Sequence, residues 1–209
     1  AHQLHSINAS SFHYDMAREF ELYFYDFFDY QKLLFNEKST LKLLKKTKAN
    51  AFVVTKGSEG ISVFFAKGKK LDIPQIDVNV YDVTGAGDTF IALLSYLLSN
   101  EIDLINSIKI SSFACGRIVQ KKHTAVLSFY EFQKIIEEFC ENESIQLSLR
   151  IRLWKLVKLK IGVTNGCFDV LHSGHLHLLS EAKKNCDKLI VLLNSDKSIK
   201  KIKGKNSGN

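Results

Sequence analysis

The strongest constraint on this chain is a change of hydrophobic period at Gly85-Ala86-Gly87. Before these residues, short apolar and β-branched runs such as AFVVT at 51–55 are typical of buried strands. After them, the apolar residues of DTFIALLSYLLSN recur at helical spacing and end near Asn100. Strands followed by helices predict an α/β domain, with small residues at the start of its first long helix.

The same patterns predict more elements in the first two thirds of the chain. ISVFFA at 61–66 is expected to form a second strand, and KLDIPQIDVNV at 70–80 one or two more. Pro74, the only proline, should lie at an edge or bend. Helices are expected over 103–120 and 128–142 because apolar residues repeat there with a helical period.

Capping signals and aromatic residues give three further expectations. Ser128 and Glu131 have the spacing of a capping box. Ser39 is placed to cap a basic amphipathic helix in STLKLLKKTKA. The aromatic segment EFELYFYDFFDYQKLLF at 19–35 fits a buried helix.

A second α/β unit is expected near the end of the chain. Residues 159–164, 174–185 and 187–194 have the patterns of a strand, a helix and a strand. Such a βαβ unit should place its two strands in parallel. The predicted organisation is therefore a first domain over 1–142, a linker with a short element over 143–158, and a second domain over 159–209.

Composition and charge exclude several classes of protein. The chain has 209 residues and lacks any apolar run near the roughly 20 residues of a membrane span. Its four cysteines form neither a CxxC pair nor a Cys/His metal spacing, so we expect reduced thiols and a cytoplasmic protein. Residues 151–209 hold 12 Lys and Arg against 4 Asp and Glu. This excess predicts phosphate-bearing small molecules rather than nucleic acid or a membrane, since no aromatic platform accompanies it.

The turn Gly85-Ala86-Gly87 has the chemistry of an anion site. Small residues let main-chain N–H groups approach a ligand closely at the positive end of a helix dipole. Asp88 follows in the first helical turn, where a carboxylate could accept the proton of a hydroxyl during phosphoryl transfer from ATP. The alternative is a tight turn in which Asp88 only caps the helix.

A second candidate site is the sequence HSGH. His172 and His175 are three residues apart, one helical turn, so both rings can lie on one side. Gly174 permits close approach of a ligand. The pair could donate to phosphate oxygens, supply half of a metal site, or only cap the helix.

The first site resembles that of the ribokinase-like carbohydrate kinases. The motif is DVTGAGDTF, flanked by VTKGSEGISVF, similar to that family's nucleotide-binding strand–loop–strand, and by GRIVQKKHTAVLSFYEF, similar to its late nucleotide-contacting segment. The resemblance implies that Asp88 is the catalytic base. It also implies an anion hole and a nucleotide border, formed respectively by Gly85, Ala86 and Gly87 and by Lys56, Gly57 and Gly60.

Two positions depart from the pattern of that family. His123 stands where the kinases usually have glycine, and Met16 stands where the asparagine of their magnesium-positioning motif belongs. Glu19 matches the acidic end of that motif and is therefore the candidate metal-positioning residue.

The second site resembles that of HxGH nucleotidyltransferases of the cytidylyltransferase-like branch. The resemblance lies in TNGCFDVLHSGH and in LLNSDKSIKKIKG, which is similar to that branch's next strand and lysine-bearing loop. It implies that His172 and His175 bind nucleotide phosphates and the transition state. Further nucleotide contacts, with ATP and Mg²⁺ as cofactors, are implied for Thr164, Asn165, Phe168, Asp169 and Lys203.

The order of the two motifs resembles that of the bifunctional heptose 7-phosphate kinase/heptose 1-phosphate adenylyltransferases, which make ADP-heptose for bacterial lipopolysaccharide. The chain lacks an initial Met, and the sugar-binding half of the kinase and the closing transferase motif are expected outside it. We therefore expect a truncated chain with little or no activity. The alternatives are a non-catalytic nucleotide-binding fragment and a sugar kinase fused to a glycerol-phosphate-type cytidylyltransferase. Uncovered sheet edges also allow homo-oligomers.

Overall fold

The computed structural model describes residues 22–26, 42, 44, 49–75, 78–121, 127–168, 170–195 and 197–198. The chain divides into two compact units, residues 1–135 and 136–209. The elements in chain order are β1 (Leu22–Asp26), β2 (Ala51–Thr55), a 3₁₀ turn (Gly57–Glu59), β3 (Ile61–Phe65), β4 (Lys70–Ile73), α1 (Ala86–Ser99), α2 (Leu104–Ile118), α3 (Phe129–Asn142), α4 (Leu147–Leu156), β5 (Ile161–Gly166), α5 (Ser173–Lys184) and β6 (Lys188–Leu193).

In the described part of the first unit, four strands form one sheet in the order β1-β2-β3-β4. Strands β1 and β2 are parallel, with Leu22 opposite Ala51. The other neighbours are antiparallel, and Val63 of β3 lies opposite both Val53 and Leu71. The predicted strands at 51–55, 61–66 and 70–80 are thus confirmed, the last over Lys70–Ile73 only.

Strand β2 is buried on both faces, which explains its uninterrupted apolar sequence. On one face, Ala51 and Val53 belong to a cluster that includes Phe90 and Leu94 of α1. On the other face, Phe52 and Val54 pack in a cluster with Leu44. The sheet is therefore covered on both sides at β2, as in an α/β domain.

The expected helix in the aromatic segment at 19–35 is wrong for residues 22–26. These residues form β1, a strand parallel to β2. Aromatic residues favour strands as readily as buried helices, and pairing with the buried β2 decides between them. The remainder of that segment lies outside the described residues, and of the helix expected after Ser39 the structure describes Lys42 and Leu44, both helical.

Helices α1 and α2 confirm the two helices predicted after the glycine turn. Helix α1 ends at Ser99, and Asp103 caps α2 by accepting a hydrogen bond from the amide of Asn106. Their apolar faces meet the sheet through residues such as Leu94 and Ile108, both in the same buried cluster. The turn before α1 is consequently anchored on a packed core.

Helix α3 begins with the predicted capping box. The Ser128 hydroxyl accepts from the amide of Glu131 at 3.2 Å, and Glu131 Oε2 accepts from the amide of Ser128 at 3.0 Å. Lys121 also forms an ion pair with the Glu131 carboxylate. The division between the two units falls inside this helix, so the domain limits expected at 142 and 159 stay predictions.

In the second unit, β5 and β6 form the predicted parallel pair, joined by α5. Val163 lies opposite Ile190 and Gly166 opposite Leu193. The segment expected as a linker contains α4, whose Leu153 is fully buried. Lys188, at the start of β6, lies 3.0 Å from Glu137 of α3 and over the ring of Trp154.

The second unit leaves much apolar surface exposed. Helix α5 contains no fully buried side chain. The exposed large apolar side chains of this unit include Val163, Val170, Leu171, Leu176, Leu178, Leu192 and Leu193. No helix among the described residues is both long and apolar enough to cross a membrane.

Candidate functional site

The turn before α1 combines main-chain donors with a carboxylate. Gly85 is the N-cap and takes φ +80°, a conformation that favours glycine. The first intrahelical bond shown here runs from Thr89 N to Gly85 O at 3.0 Å, so the amides of Gly87 and Asp88 lie in the turn where a helix has no acceptors of its own. Space is open beside Gly87, since an added Cβ would meet nothing within 4 Å. Gly85, Ala86, Gly87 and the exposed Asp88 thus form one accessible turn.

One side of α2 supports this turn. The amides of Tyr81 and Asp82 both donate to the carbonyl of Val119, at 2.7 and 3.1 Å. The thiol of Cys115 donates to the carbonyl of Ala86 at 3.3 Å. Burial raises the pKa of Cys115 to about 12, so the group stays a thiol and a donor. The position of the turn is therefore set partly by residues far along the chain.

Lys56, Gly57 and Gly60 are brought together in the turn between β2 and β3. The amide of Lys56 donates to the carbonyl of Gly60 at 2.8 Å, and Gly57 and Gly60 have φ of +58° and +88°. Gly60 also lies against β4, because an added Cβ would come within 2.2 Å of the Ile73 carbonyl oxygen. Glycine is required at position 60 both for backbone conformation and for space.

Asp72 of β4 gathers three groups beside this turn. Its carboxylate accepts from the hydroxyl of Ser62, lies 2.9 Å from Lys70 Nζ and lies 3.9 Å from Lys56 Nζ. The Ser62 hydroxyl, followed by Lys70, lowers the pKa of Asp72. Lys70 is the closer cation, so its ion pair with Asp72 is the stronger of the two.

The two histidines of HSGH stack at the start of α5. The ring centroids of His172 and His175 are 3.9 Å apart, with 28° between the planes. His172 is the N-cap, and its Nδ1 accepts from the amide of Gly174 at 3.2 Å. A neutral His172 therefore carries its proton on Nε2, where it can donate to a ligand. Among the described residues, no hydrogen-bond partner reaches the buried Nδ1 of His175.

Phe168 joins the loop after β5 to this pair. Its ring centroid is 5.0 Å from that of His175, and its backbone takes φ +48°. Gly166 makes room for the ring, since an added Cβ would come within 2.7 Å of it. Thr164 and Asn165 lie on β5 opposite Val191 and Leu192 of β6.

Several predicted site residues lie outside the described residues. These are Glu19, His123, Asp169 and Lys203. Among the residues that the structure describes, no group of three or more His, Cys, Asp and Glu side chains is suited to hold a metal ion. The four cysteines are all free thiols.

Sequence reasoning missed the side chains that support each turn. Cys115 and Asp72 gave no local signal, because their partners are brought near only by the fold. Asn194, whose amide group donates to Cys167 Sγ at 3.4 Å, follows strand β6 directly. Its place at the carboxyl end of a parallel strand, the edge where such sheets bind ligands, was a signal that could have found it.

Two family models match separate parts of the chain. Residues 28–129 match the pfkB family carbohydrate kinases, and residues 163–207 match the cytidylyltransferase-like family. The matched segments contain the glycine turn before α1 and the histidine turn before α5, respectively. The mixed α/β fold expected for both parts is thereby confirmed.

Curated relatives match across most of the chain. It is 35% identical over 175 residues to the bifunctional protein HldE of Nitrobacter winogradskyi, an alignment that covers 80% of this chain and 36% of the relative. It is 37% identical over 162 residues to the bifunctional protein HldE of Rhodopseudomonas palustris strain BisB5, covering 74% of this chain and 33% of the relative. The chain thus spans about a third of the length of these relatives.

A solved structure resembles part of the chain in fold. The ribokinase of Thermotoga maritima is 18% identical, with a TM-score of 0.50 over 56% of this chain and 42% of that enzyme. At this identity the likeness concerns the fold alone. Residues 28–129 thus match the pfkB family carbohydrate kinases, residues 163–207 match the cytidylyltransferase-like family, and most of the chain is similar to the bifunctional HldE proteins.

Proposed function

We propose that this chain is part of a bifunctional enzyme for ADP-heptose synthesis. The first unit contributes to the transfer of a phosphoryl group from ATP to the anomeric hydroxyl of heptose 7-phosphate. The second contributes to the transfer of an adenylyl group from ATP to heptose 1-phosphate. The observation that carries the proposal is that one chain holds two helix N-termini, each bearing the groups that one of these reactions needs.

In the first reaction, the sugar hydroxyl oxygen attacks the γ-phosphorus and ADP leaves. Asp88 accepts the hydroxyl proton, because it is an exposed carboxylate in the same turn as the anion-binding amides. The amides of Gly87 and Asp88, together with the dipole of α1, stabilise negative charge on the transferred group. Gly85 keeps the turn in the shape that exposes these donors. Lys56, Gly57 and Gly60 border the nucleotide.

In the second reaction, a phosphate oxygen of heptose 1-phosphate attacks the α-phosphorus, and the bond to the leaving pyrophosphate breaks. His172 donates from Nε2 to a phosphate oxygen, since its Nδ1 is occupied by the Gly174 amide. His175 stacks on it and lies beside the same helix N-terminus. Buried ring nitrogens are seldom left unpaired in proteins, so the Nδ1 of His175, which has no partner in the described part of the chain, supports a functional role for this ring. No covalent enzyme intermediate is required.

The proposal also includes the nucleotide and the metal ion that the enzyme uses. The nucleotide is ATP, bound with Mg²⁺. The described residues do not form a metal site by themselves, so Mg²⁺ would arrive on the triphosphate, as it commonly does. A cytoplasmic location and homo-oligomer formation stay predictions.

The kinase role is tested with Asp88→Asn in the 209-residue chain. We expect turnover of heptose 7-phosphate to fall by about 10²–10⁴-fold, the contribution typical of a general base, while ATP affinity is kept. Asp103→Asn is the matched control, since Asp103 caps α2 and is not part of the turn. ADP release and calorimetric ATP binding are the two measurements. Where wild type turns over heptose 7-phosphate measurably, equal turnover in Asp88→Asn would contradict the role.

The transferase role is tested with His172→Ala, using His177→Ala on the same helix as the control. We expect pyrophosphate release with heptose 1-phosphate to fall by about 10²–10³-fold in His172→Ala alone. Competition of CTP against ATP separates an adenylyltransferase from a cytidylyltransferase. ATP binding that His172→Ala abolishes, with no product in wild type, would instead favour a non-catalytic nucleotide-binding module. The same assays show whether the 209-residue chain converts either substrate at all.

A further inference from the structure

Asn194 makes two hydrogen bonds to the chain at the end of β5, one to its last residue and one to the first residue of the following loop. Its backbone amide donates to the carbonyl of Gly166 at 3.2 Å, and its side-chain Nδ2 donates to Cys167 Sγ at 3.4 Å. Strands β5 and β6 are parallel with Gly166 opposite Leu193, so both strands end at the same edge of the sheet. Asn194 is half-buried there, where it joins the two strand ends.

The bonded loop leads directly to the histidine pair. Cys167 is followed by Phe168, whose φ of +48° is unusual for a residue with a side chain. The Phe168 ring packs over Gly166 and lies with its centroid 5.0 Å from that of His175. His175 in turn stacks on His172 at 3.9 Å. Contacts therefore run without a break from Asn194 to both histidines.

We propose that Asn194 is a positioning residue for the His172–His175 pair. Its side-chain amide holds Cys167, and this fixes the peptide that places Phe168 in its left-handed conformation. Phe168 and His172 then both hold the ring of His175 in place by ring contacts. That the pair binds phosphate rests on the proposed function, whereas the placement of the rings does not.

The proposal is tested with Asn194→Ala in the 209-residue chain. The imidazole signals of His172 and His175 are followed by NMR, assigned with single His→Gln variants, and compared with Phe168→Ala. We expect both signals to move toward their positions in Phe168→Ala. ATP affinity measured by calorimetry should fall by roughly two- to tenfold, the range that follows from loss of one neutral hydrogen bond.

Matched variants separate positioning from general loss of structure. Asn185→Ala removes another asparagine of this unit, whose Nδ2 donates to the Glu181 carbonyl at 2.8 Å, and should leave the histidine signals unchanged. Cys167→Ala removes the acceptor and should reproduce Asn194→Ala, whereas Cys167→Ser keeps an acceptor and should resemble wild type. The double variant Cys167→Ala/Asn194→Ala should be no worse than either single one, because both break the same bond.

Each outcome decides for or against the proposal. Unmoved histidine signals in Asn194→Ala, or additive effects of the two single variants, would overturn it. If Asn194→Ala fails to fold, Cys167→Ala removes the same bond and decides alone. If the signals move as expected but wild type binds no ATP, the positioning role stands and the proposed function fails. If wild type binds ATP but the signals do not move, the positioning role fails and the proposed function stands.

Discussion

Each of the two candidate turns begins a helix, but the first presents main-chain amides and the second presents side chains. The turn before α1 exposes main-chain amides and depends on Gly85 at φ +80°. The turn before α5 presents two imidazole rings that stack on each other, with Phe168 in tilted contact with His175. In the first case the backbone conformation defines the site, and in the second case side-chain packing does.

The helices that follow the two turns also differ in how deeply they are buried. Helix α1 packs through Leu94, which is 0% exposed, onto a sheet whose strand β2 is buried on both faces. Helix α5 has no fully buried side chain, and Leu193 of the neighbouring strand is 69% exposed. The first turn is therefore a local feature of a rigid core, whereas the second depends on a few contacts at the end of a two-stranded sheet.

The largest expected effect compares a buried leucine beside the first turn with an exposed leucine beside the second. Leu94→Ala should lower the free energy of unfolding by about 2–5 kcal/mol, because it leaves a cavity in the packed cluster. Leu193→Ala should change it by less than about 0.5 kcal/mol, since this side chain already faces solvent. Urea denaturation followed by far-UV circular dichroism measures both. Similar losses in the two variants would show that Leu193 is packed as tightly as Leu94.

A smaller effect compares two glycines that lie under close contacts. Gly60→Ala places a methyl group against the fixed carbonyl of Ile73 and in a left-handed conformation, so a loss of at least about 2 kcal/mol is expected. Gly166→Ala meets only the outer edge of the Phe168 ring, which can turn away. Gly166→Ala should therefore destabilise the protein less than Gly60→Ala does. It should also shift the NMR signals of His172 and His175.

Two measurements distinguish these outcomes. Urea denaturation gives the stability of each variant, and the fluorescence of Trp154, the only tryptophan, reports on the second unit alone. Gly57→Ala is the control for the first turn, since φ is +58° there but no atom lies within 4 Å of the added Cβ, and it should cost about 1 kcal/mol. Equal losses at positions 57 and 60 would show that the contact with Ile73 is unimportant.

Local patterns predicted most elements and both turns, because each depends on neighbouring residues. The helical period after Gly87, the capping box at Ser128 and the parallel βαβ unit are all confirmed. Strand β1 was missed because LYFYD contains aromatic residues without a clear period, and its identity as a strand comes from pairing with β2. A strand whose conformation is decided by pairing with a segment far along the chain cannot be predicted from local periodicity.

The candidate sites show the same limit at the level of side chains. The glycines and histidines of the two turns are adjacent in sequence, so their motifs could be found directly. Cys115 meets Ala86, and Asn194 meets Cys167, only after separate elements pack or pair. The roles assigned to the turns stay predictions, as do those of Glu19, Asp169 and Lys203, which lie outside the described residues.

The smallest expected effect concerns a helix N-terminus that is capped purely by side chains. Hydrogen bonds from Lys121 and then from the Ser128 amide lower the pKa of Glu131 from 4.5 to about 2. A lowered carboxyl pKa means that this stabilisation is fully present above about pH 4.5 and is lost as the pH falls toward 2. Because the groups are largely exposed, the effect should be small and reduced by salt.

The Glu131→Gln variant measures how much the ionised carboxylate of this side-chain cap contributes to stability. The variant should be slightly less stable than wild type above pH 4.5, and the two denaturation midpoints should converge as the pH approaches 2. Gln keeps the shape of the capping box but loses the charge, so the convergence isolates the ionised carboxylate. Glu101→Gln, outside any helix start, is the matched control and should not show it. A difference that persists unchanged at pH 2 would mean that Glu131 acts through packing, and side-chain caps would then resemble the glycine turn in being independent of charge.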